Sequence, residues 1–219
     1  MGLKTGLGAR TYLTIREGKI AKKDGETYTL FDSVEGHIVD ISTRESQYGP
    51  QLNIVLRDGG ELFNLQLRIK GEDKPGQLAK QSSHFISFAH CAPNIDVSRK
   101  VEFIPSLKIV DDKKRAALFL KQGEDVLKWA YKKGEGMPAP EEVFNKKGEL
   151  VSIDWTEVEV FRMDKVNELL QRVKEYQATA VEQEEKPEWA KAYPEWAKAY
   201  PEPGVKPEPI GKSDEDLPF

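Results

Sequence analysis

Two groups of residues in this chain have types and spacings that could do chemistry. The first is the segment SDEDLPF at 213–219, in which Asp214, Glu215 and Asp216 precede Leu217, Pro218 and Phe219. Three carboxylates beside a phenyl ring suit a partner site where Lys or Arg side chains rim an apolar pocket, with Pro218 limiting the entropy lost on docking. The second group is basic and aromatic. It comprises Arg44 and Tyr48 in TRESQYGPQ, Arg57 and Arg68 at the ends of alternating runs, Lys113, Lys114 and Arg115 in IVDDKKR, and Trp129 in LKWAYKK. Cationic side chains with aromatic faces nearby are what a single nucleic-acid strand needs, cations for phosphates and rings for stacked bases. Arg10, Tyr12, Arg16, Lys22 and Lys23 would widen such a surface.

Catalytic chemistry finds less to work with. Of the three histidines, His84 and His90 stand six residues apart rather than at the i, i+4 spacing of a helical zinc pair. His90-Cys91 has no companion Cys-x-x-Cys, and the Gly-rich GLGARTY lacks the Gly-Lys-Ser/Thr ending of a phosphate-binding loop. Asp111-Asp112 reads as a turn. The expectation is a protein that is not an enzyme and needs no cofactor and no metal. The single cysteine, Cys91, allows no disulfide framework. No apolar run is long enough to span a bilayer and the first residues lack a leader-like apolar segment, so a cytoplasmic chain is expected, with no membrane partner.

The elements that must position these residues read as mainly β. IAKKDGETYTLF is a hairpin with Asp24-Gly25 at its turn. VEGHIVDISTRE (34–45), QLNIVLRD (51–58) and ELFNLQLRI (61–69) follow as strands. In the last two, Leu52, Ile54, Leu56, Phe63, Leu65, Leu67 and Ile69 share a core face, opposite Asn53, Arg57, Asn64, Gln66 and Arg68. A helix is expected over 75–92, with Pro75 near its start, then strands at 99–105 and 115–122 joined by the loop SLKIVDDKK. A further strand is possible over 124–133, a strand is favoured over a capped helix start in WTEVEVF, and a C-terminal helix is expected over 163–183. Three strands, a helix and two strands make the order of a five-stranded OB-type barrel, to which the N-terminal hairpin and the C-terminal helix would be additions. Gly36 suits the bend that a small barrel needs in its first strand.

From about residue 182 the composition changes. PEWAKAY occurs twice in tandem, at 187–193 and 194–200, and frequent prolines favour extended rather than folded chain. Residues 182–219 hold ten acids and five lysines, which leaves the first 181 residues at +1 out of a total of −4. The expected organisation is a body over 1–181, a Pro-rich disordered linker over 182–212 and an acidic tip over 213–219. A mildly basic body with an acidic appendage fits a nucleic-acid partner.

The tip, Asp214-Glu215-Asp216-Leu217-Pro218-Phe219, resembles the acidic, phenylalanine-terminated end of bacterial and phage single-stranded DNA-binding proteins. That resemblance covers about six residues. It implies an OB-fold body that holds the strand, a disordered linker, and a tip that recruits replication, repair and recombination proteins. The body shows no visible match to the bacterial members, so its DNA-contacting residues rest on the basic and aromatic positions above. The expected function is binding and protection of single-stranded DNA without strong sequence preference, with homo-oligomers possible. The competing expectation is an adaptor that engages the tip's partner pocket without binding DNA.

Overall fold

The computed structural model describes residues 10–47, 49–71, 81–131 and 135–185. The chain divides into two units, Met1–Gln177 and Ala178–Phe219; the described part of the second is the final stretch of a helix. The first unit is mainly β. Its strands are β1 (Arg10–Arg16), β2 (Lys19–Asp24), β3 (Thr27–Phe31), β4 (Val34–Ser46), β5 (Gly49–Asp58), β6 (Glu61–Arg68), β7 (Val101–Val110), β8 (Lys113–Gln122), β9 (Asp125–Val126), β10 (Glu141–Phe144) and β11 (Leu150–Asp154). The helices are α1 (Ser83–Cys91), followed by a 3-10 turn, and α2 (Thr156–Glu185).

Nine strands form one mixed sheet in the order β3-β2-β1-β6-β5-β4-β7-β8-β9, while β10 and β11 make a separate two-stranded sheet. Within the large sheet β7-β4-β5-β6 is a Greek key, three consecutive strands with the fourth returning beside the first. No ladder joins the edge strands β3 and β9 among the described residues, so the expected closed five-stranded barrel is not what the sheet forms. The edge of β6 is instead taken by β1, which pairs with it in parallel from Arg10↔Leu62 to Leu13↔Leu65. The sheet nevertheless curls. A Cβ on Gly18, in the β1–β2 turn at φ +73°, would lie 2.6 Å from the Leu107 backbone nitrogen of β7. Only glycine tolerates both that backbone angle and that approach.

Alternation explains the core. Leu52, Ile54, Leu56, Leu65 and Leu67 point inward with Leu13, Ile20, Phe103 and Leu120, where they meet Phe85, Phe88 and Ala89 of α1. Val166, Leu169 and Val173 of α2 join the same cluster at helical spacing. Ser82 caps α1, accepting a hydrogen bond from the Phe85 N–H at 3.2 Å. Residues 75–80 lie outside the described residues and Gln81 is paired with Lys70 in a β-bridge, so the helix starts later than Pro75 suggested. In β4 the register shifts between Ile38 and Asp40. The Val39 carbonyl, at this irregularity in the ladder, accepts from Gln177 Nε2 at 2.7 Å. Pro105 sits in β7 beyond the end of the β4–β7 ladder at Phe103, where its missing N–H breaks nothing on that side.

Three further expectations are corrected. The strand read in WTEVEVF is the first turn of α2: Asp154 accepts from Thr156 N–H at 2.9 Å, and Val158 is buried at the start of the helix's apolar stripe. The strand over 124–133 shrinks to Asp125–Val126, because the Leu127 carbonyl and the Ala130 N–H bond to α1 instead, to Cys91 Sγ and the His90 carbonyl. The loop SLKIVDDKK is mostly strand, and only Asp111 and Asp112, both with left-handed φ near +50°, turn the chain. β1 and the β10–β11 hairpin were not anticipated.

Candidate nucleic-acid interface

Paired residues in a sheet point to the same side, so register sorts the basic residues without reference to any ligand. Arg68 pairs with Gln51 and Gln51 with Arg44. At the other end of the same strands Arg57 pairs with Leu62 and with His37, and Leu62 with Arg10. Arg44, Arg57 and Arg68 therefore share one face, opposite Leu52, Ile54 and Leu56, and all three are exposed. The two arginine rows stand six residues apart along β5, about 20 Å of strand.

Between them lies a strip without a basic residue. Tyr12, Asn64, Val55 and Asp40 form one cross-strand row, and Gln66, Asn53 and Ser42 the next, with Gln66 Nε2 donating to Asn53 Oδ1 at 3.3 Å. Tyr12 is exposed, whereas Asn53 and Asn64 are buried at 6% exposure each. The polar side of the strands is thus not simply a solvated surface. Val55 and the two asparagines are sealed by their neighbours, and the Asn64 Oδ1 has no hydrogen-bond partner among the described residues. Asp40 brings a carboxylate into the first row, so the strip is not uniformly cationic.

The same face continues onto β1–β3 and β7–β8. On β1 and β3, Arg16 stacks over the Tyr28 ring with 3.8 Å from its guanidinium carbon to the ring centroid. On β8, Lys113 pairs with Val110 and Arg115 with Lys108, and alternation carries these residues to the side of exposed Phe119. Lys114 pairs with Ile109 and faces the other way. The structure therefore brings Arg44, Arg57, Arg68, Lys113 and Arg115 onto one face, adds Tyr12, Arg16, Lys108 and Phe119 to it, and leaves Lys114 off. Of the residues first named as possible extensions, Lys23 falls on this face, paired with Tyr28, and Lys22 on the opposite one, paired with Thr29.

Trp129 is placed elsewhere. It follows β9 and meets His90 of α1 edge to face, ring centroids 4.8 Å apart. His90 Nε2 accepts from Arg162 Nε at 3.1 Å, and Arg162 Nη1 donates to Gln81 Oε1 at 2.9 Å. Burial, and then the Arg162 guanidinium, push His90 down to about 4, so the ring is neutral and can accept that bond. Burial alone lifts Cys91 to about 11, which keeps its thiol protonated and unreactive. Trp129 is thus tied to the cluster that joins α1 to α2, yet stays about half exposed. Among the described residues no group of three or more His, Cys, Asp or Glu is placed to hold a metal, and no helix is long and apolar enough to cross a membrane.

Tyr48 and the tip residues Asp214, Glu215, Asp216, Leu217, Pro218 and Phe219 lie outside the described residues, as does the PEWAKAY repeat. Tyr12 and Phe119 are functional candidates that alternation in the strands undersold. The signal for Tyr12 was present, an aromatic alternating with Leu13 and Ile15 in RTYLTIR, but its neighbour β6 could not be inferred from it. Comparison with protein-family models, curated proteins and solved structures returned no match to this chain.

Proposed function

We propose that this chain binds single-stranded DNA without strong sequence preference and recruits replication, recombination or repair proteins through Asp214–Phe219. The observation that carries the reading is the shared face of Arg44, Arg57 and Arg68 around a strip holding Tyr12, with Lys113 and Arg115 on the same side of β8. Two cationic rows about 20 Å apart suit a backbone that crosses the strands, and the mostly neutral strip between them, with Asp40 at one edge, suits bases, whose faces stack on aromatic rings. The Greek key with its helix between third and fourth strands supports an OB-type arrangement in which β4 to β8 are the five strands and β1 has taken an edge. Tyr48, two residues before Pro50 in the sequence, is a second aromatic candidate in this reading. The reading needs no catalytic group, and it places the protein in the cytoplasm, where the DNA is.

Titration with poly-dT, followed by intrinsic tryptophan fluorescence or anisotropy, tests it. Affinity should exceed that for duplex, and log K should fall with log salt by about 0.7 for each phosphate neutralised. Equal affinity for duplex, or a flat salt response, would reject the DNA reading. Capture of host replication proteins that survives such a failure, and depends on Phe219, would establish the adaptor instead.

A further inference from the structure

The β10–β11 hairpin is a two-stranded sheet of its own that presents large apolar residues to solvent. Phe144 is 54% exposed, Leu150 52%, Val151 64% and Ile153 43%. Phe144 pairs with Leu150 and Glu142 with Ile153, so these four share one face, three apolar groups with a carboxylate at one end. An isolated hairpin is marginally stable in water, and an apolar face of this kind marks a docking site. The hairpin from 141 to 154 carries four acids against two lysines, net −2.

A second hairpin supplies the complement. Where β7 and β8 turn at Asp111–Asp112, Ile109 is 70% exposed and pairs with Lys114, on the side away from Arg115. Residues 107–117 carry four basic residues against two acids, net +2. Two copies joined symmetrically through β10–β11 would set two hairpins of net charge −2 against each other, which like charge opposes. The acidic tail, ten acids against five lysines after 181, is opposed for the same reason. The basic, apolar tip of β7–β8 is opposed by neither.

We infer that the β10–β11 hairpin of one copy docks on the β7–β8 tip of the next, Phe144, Leu150 and Ile153 covering Ile109, and Glu142 pairing with Lys114. Such an interface uses two different patches, so it is heterologous and extends head to tail rather than closing as a dimer. It leaves the face of Arg57 and Arg115 open, because Ile109 and Lys114 lie on the other side of the strands.

Sedimentation velocity of the full chain without DNA tests the contact separately from the DNA reading. The sedimentation coefficient should keep rising with protein concentration and fall with salt. Glu142→Lys and Lys114→Glu should each weaken association about tenfold, the scale of a close interfacial charge pair, and the double swap should restore it. Ile109→Ser should weaken association at both low and high salt. All three positions are exposed, and unchanged melting temperatures will show that the variants fold. A chain that stays monomeric overturns the inference. So does a dimer indifferent to both reversals, a double swap that fails to restore association, or association that vanishes when residues 182–219 are removed.

Discussion

The two sides of β5 and β6 are built from adjacent residues and differ in nearly every respect. On the inner side Leu52, Ile54, Leu56, Leu65 and Leu67 are sealed against α1 and α2. On the outer side the strand ends carry exposed arginines, while the centre holds Asn53, Val55 and Asn64, buried yet outside the main core cluster. The inner side is uniform because packing rewards only volume and apolarity. The outer side is graded, charged at the margins and neutral in the middle, which packing does not require. Under the proposed function, that gradation separates residues that set stability from those that set binding.

The sharpest way to break this division is to cut into the inner side. Phe103→Ala removes a fully buried ring that stacks near Phe88 and should cost about 3–5 kcal/mol of folding stability in denaturant titration. Poly-dT affinity of the fraction still folded should change little. A variant that keeps its stability and loses DNA would assign binding to the inner side and dissolve the comparison.

Tyr12→Ala on the outer side, and Tyr48→Ala, should each weaken poly-dT binding roughly 5- to 150-fold, as expected for about 1–3 kcal/mol of base stacking. Arg57→Ala should lower the salt slope by about 0.7, the share of one phosphate. Circular dichroism melts of these variants should match the parent. If Tyr12, Tyr48 and Arg57 variants all bind like the parent, the outer side is not the interface.

A smaller effect concerns the cluster joining α1 to α2. His90 sits well below its ordinary value in the folded state, at about 4, so between about 6.5 and 4 the unfolded chain binds the extra proton. Stability from this residue is fully present above about 6.5 and is lost as the pH falls toward 4. His90→Gln keeps an acceptor for Arg162 and removes the titration. Its melting temperature should therefore fall less steeply with acid than the parent's, and identical slopes would remove His90 as the cause.

The smallest effect on the body should come from deleting Asp214–Phe219. The melting temperature should hold, and DNA affinity should stay equal or tighten at low salt, where an acidic segment competes with phosphate for the outer face. Partner capture should fail in the same variant, with Phe219→Ala reproducing most of the loss. A truncation that loses DNA while partners still bind would make the tail part of the DNA contact.

Much of this was legible in the residues. The strict alternation of QLNIVLRD and ELFNLQLRI separated Leu52, Ile54 and Leu56 from Arg57, and ELLQRV placed Leu169 and Val173 on one helical face, because periods of 2 and 3.6 are local properties. The acidic, Phe-bearing segment was equally plain. What the alternation could not show was that Asn53 and Val55 would be covered, since cover comes from neighbouring strands. The WTEVEVF segment alternates like a strand, yet Asp154 capping and the burial of Val158 make it helix. The loop assigned to Lys113, Lys114 and Arg115 is strand because Asp111 and Asp112 turn the chain in two residues.

By itself, then, the order of residues determined which side chains each strand turns inward and which it turns out. Tertiary structure alone decided which strands are neighbours: that β1 lies parallel to β6 and adds Tyr12 to the row of Asn64, that Trp129 leaves the arginines for His90, and that Lys114 parts from Lys113 and Arg115. The physical reason is range. A strand's two faces follow from backbone geometry over a few residues, whereas strand pairing joins residues some fifty positions apart, such as Tyr12 and Asn64, through contacts that no local pattern encodes.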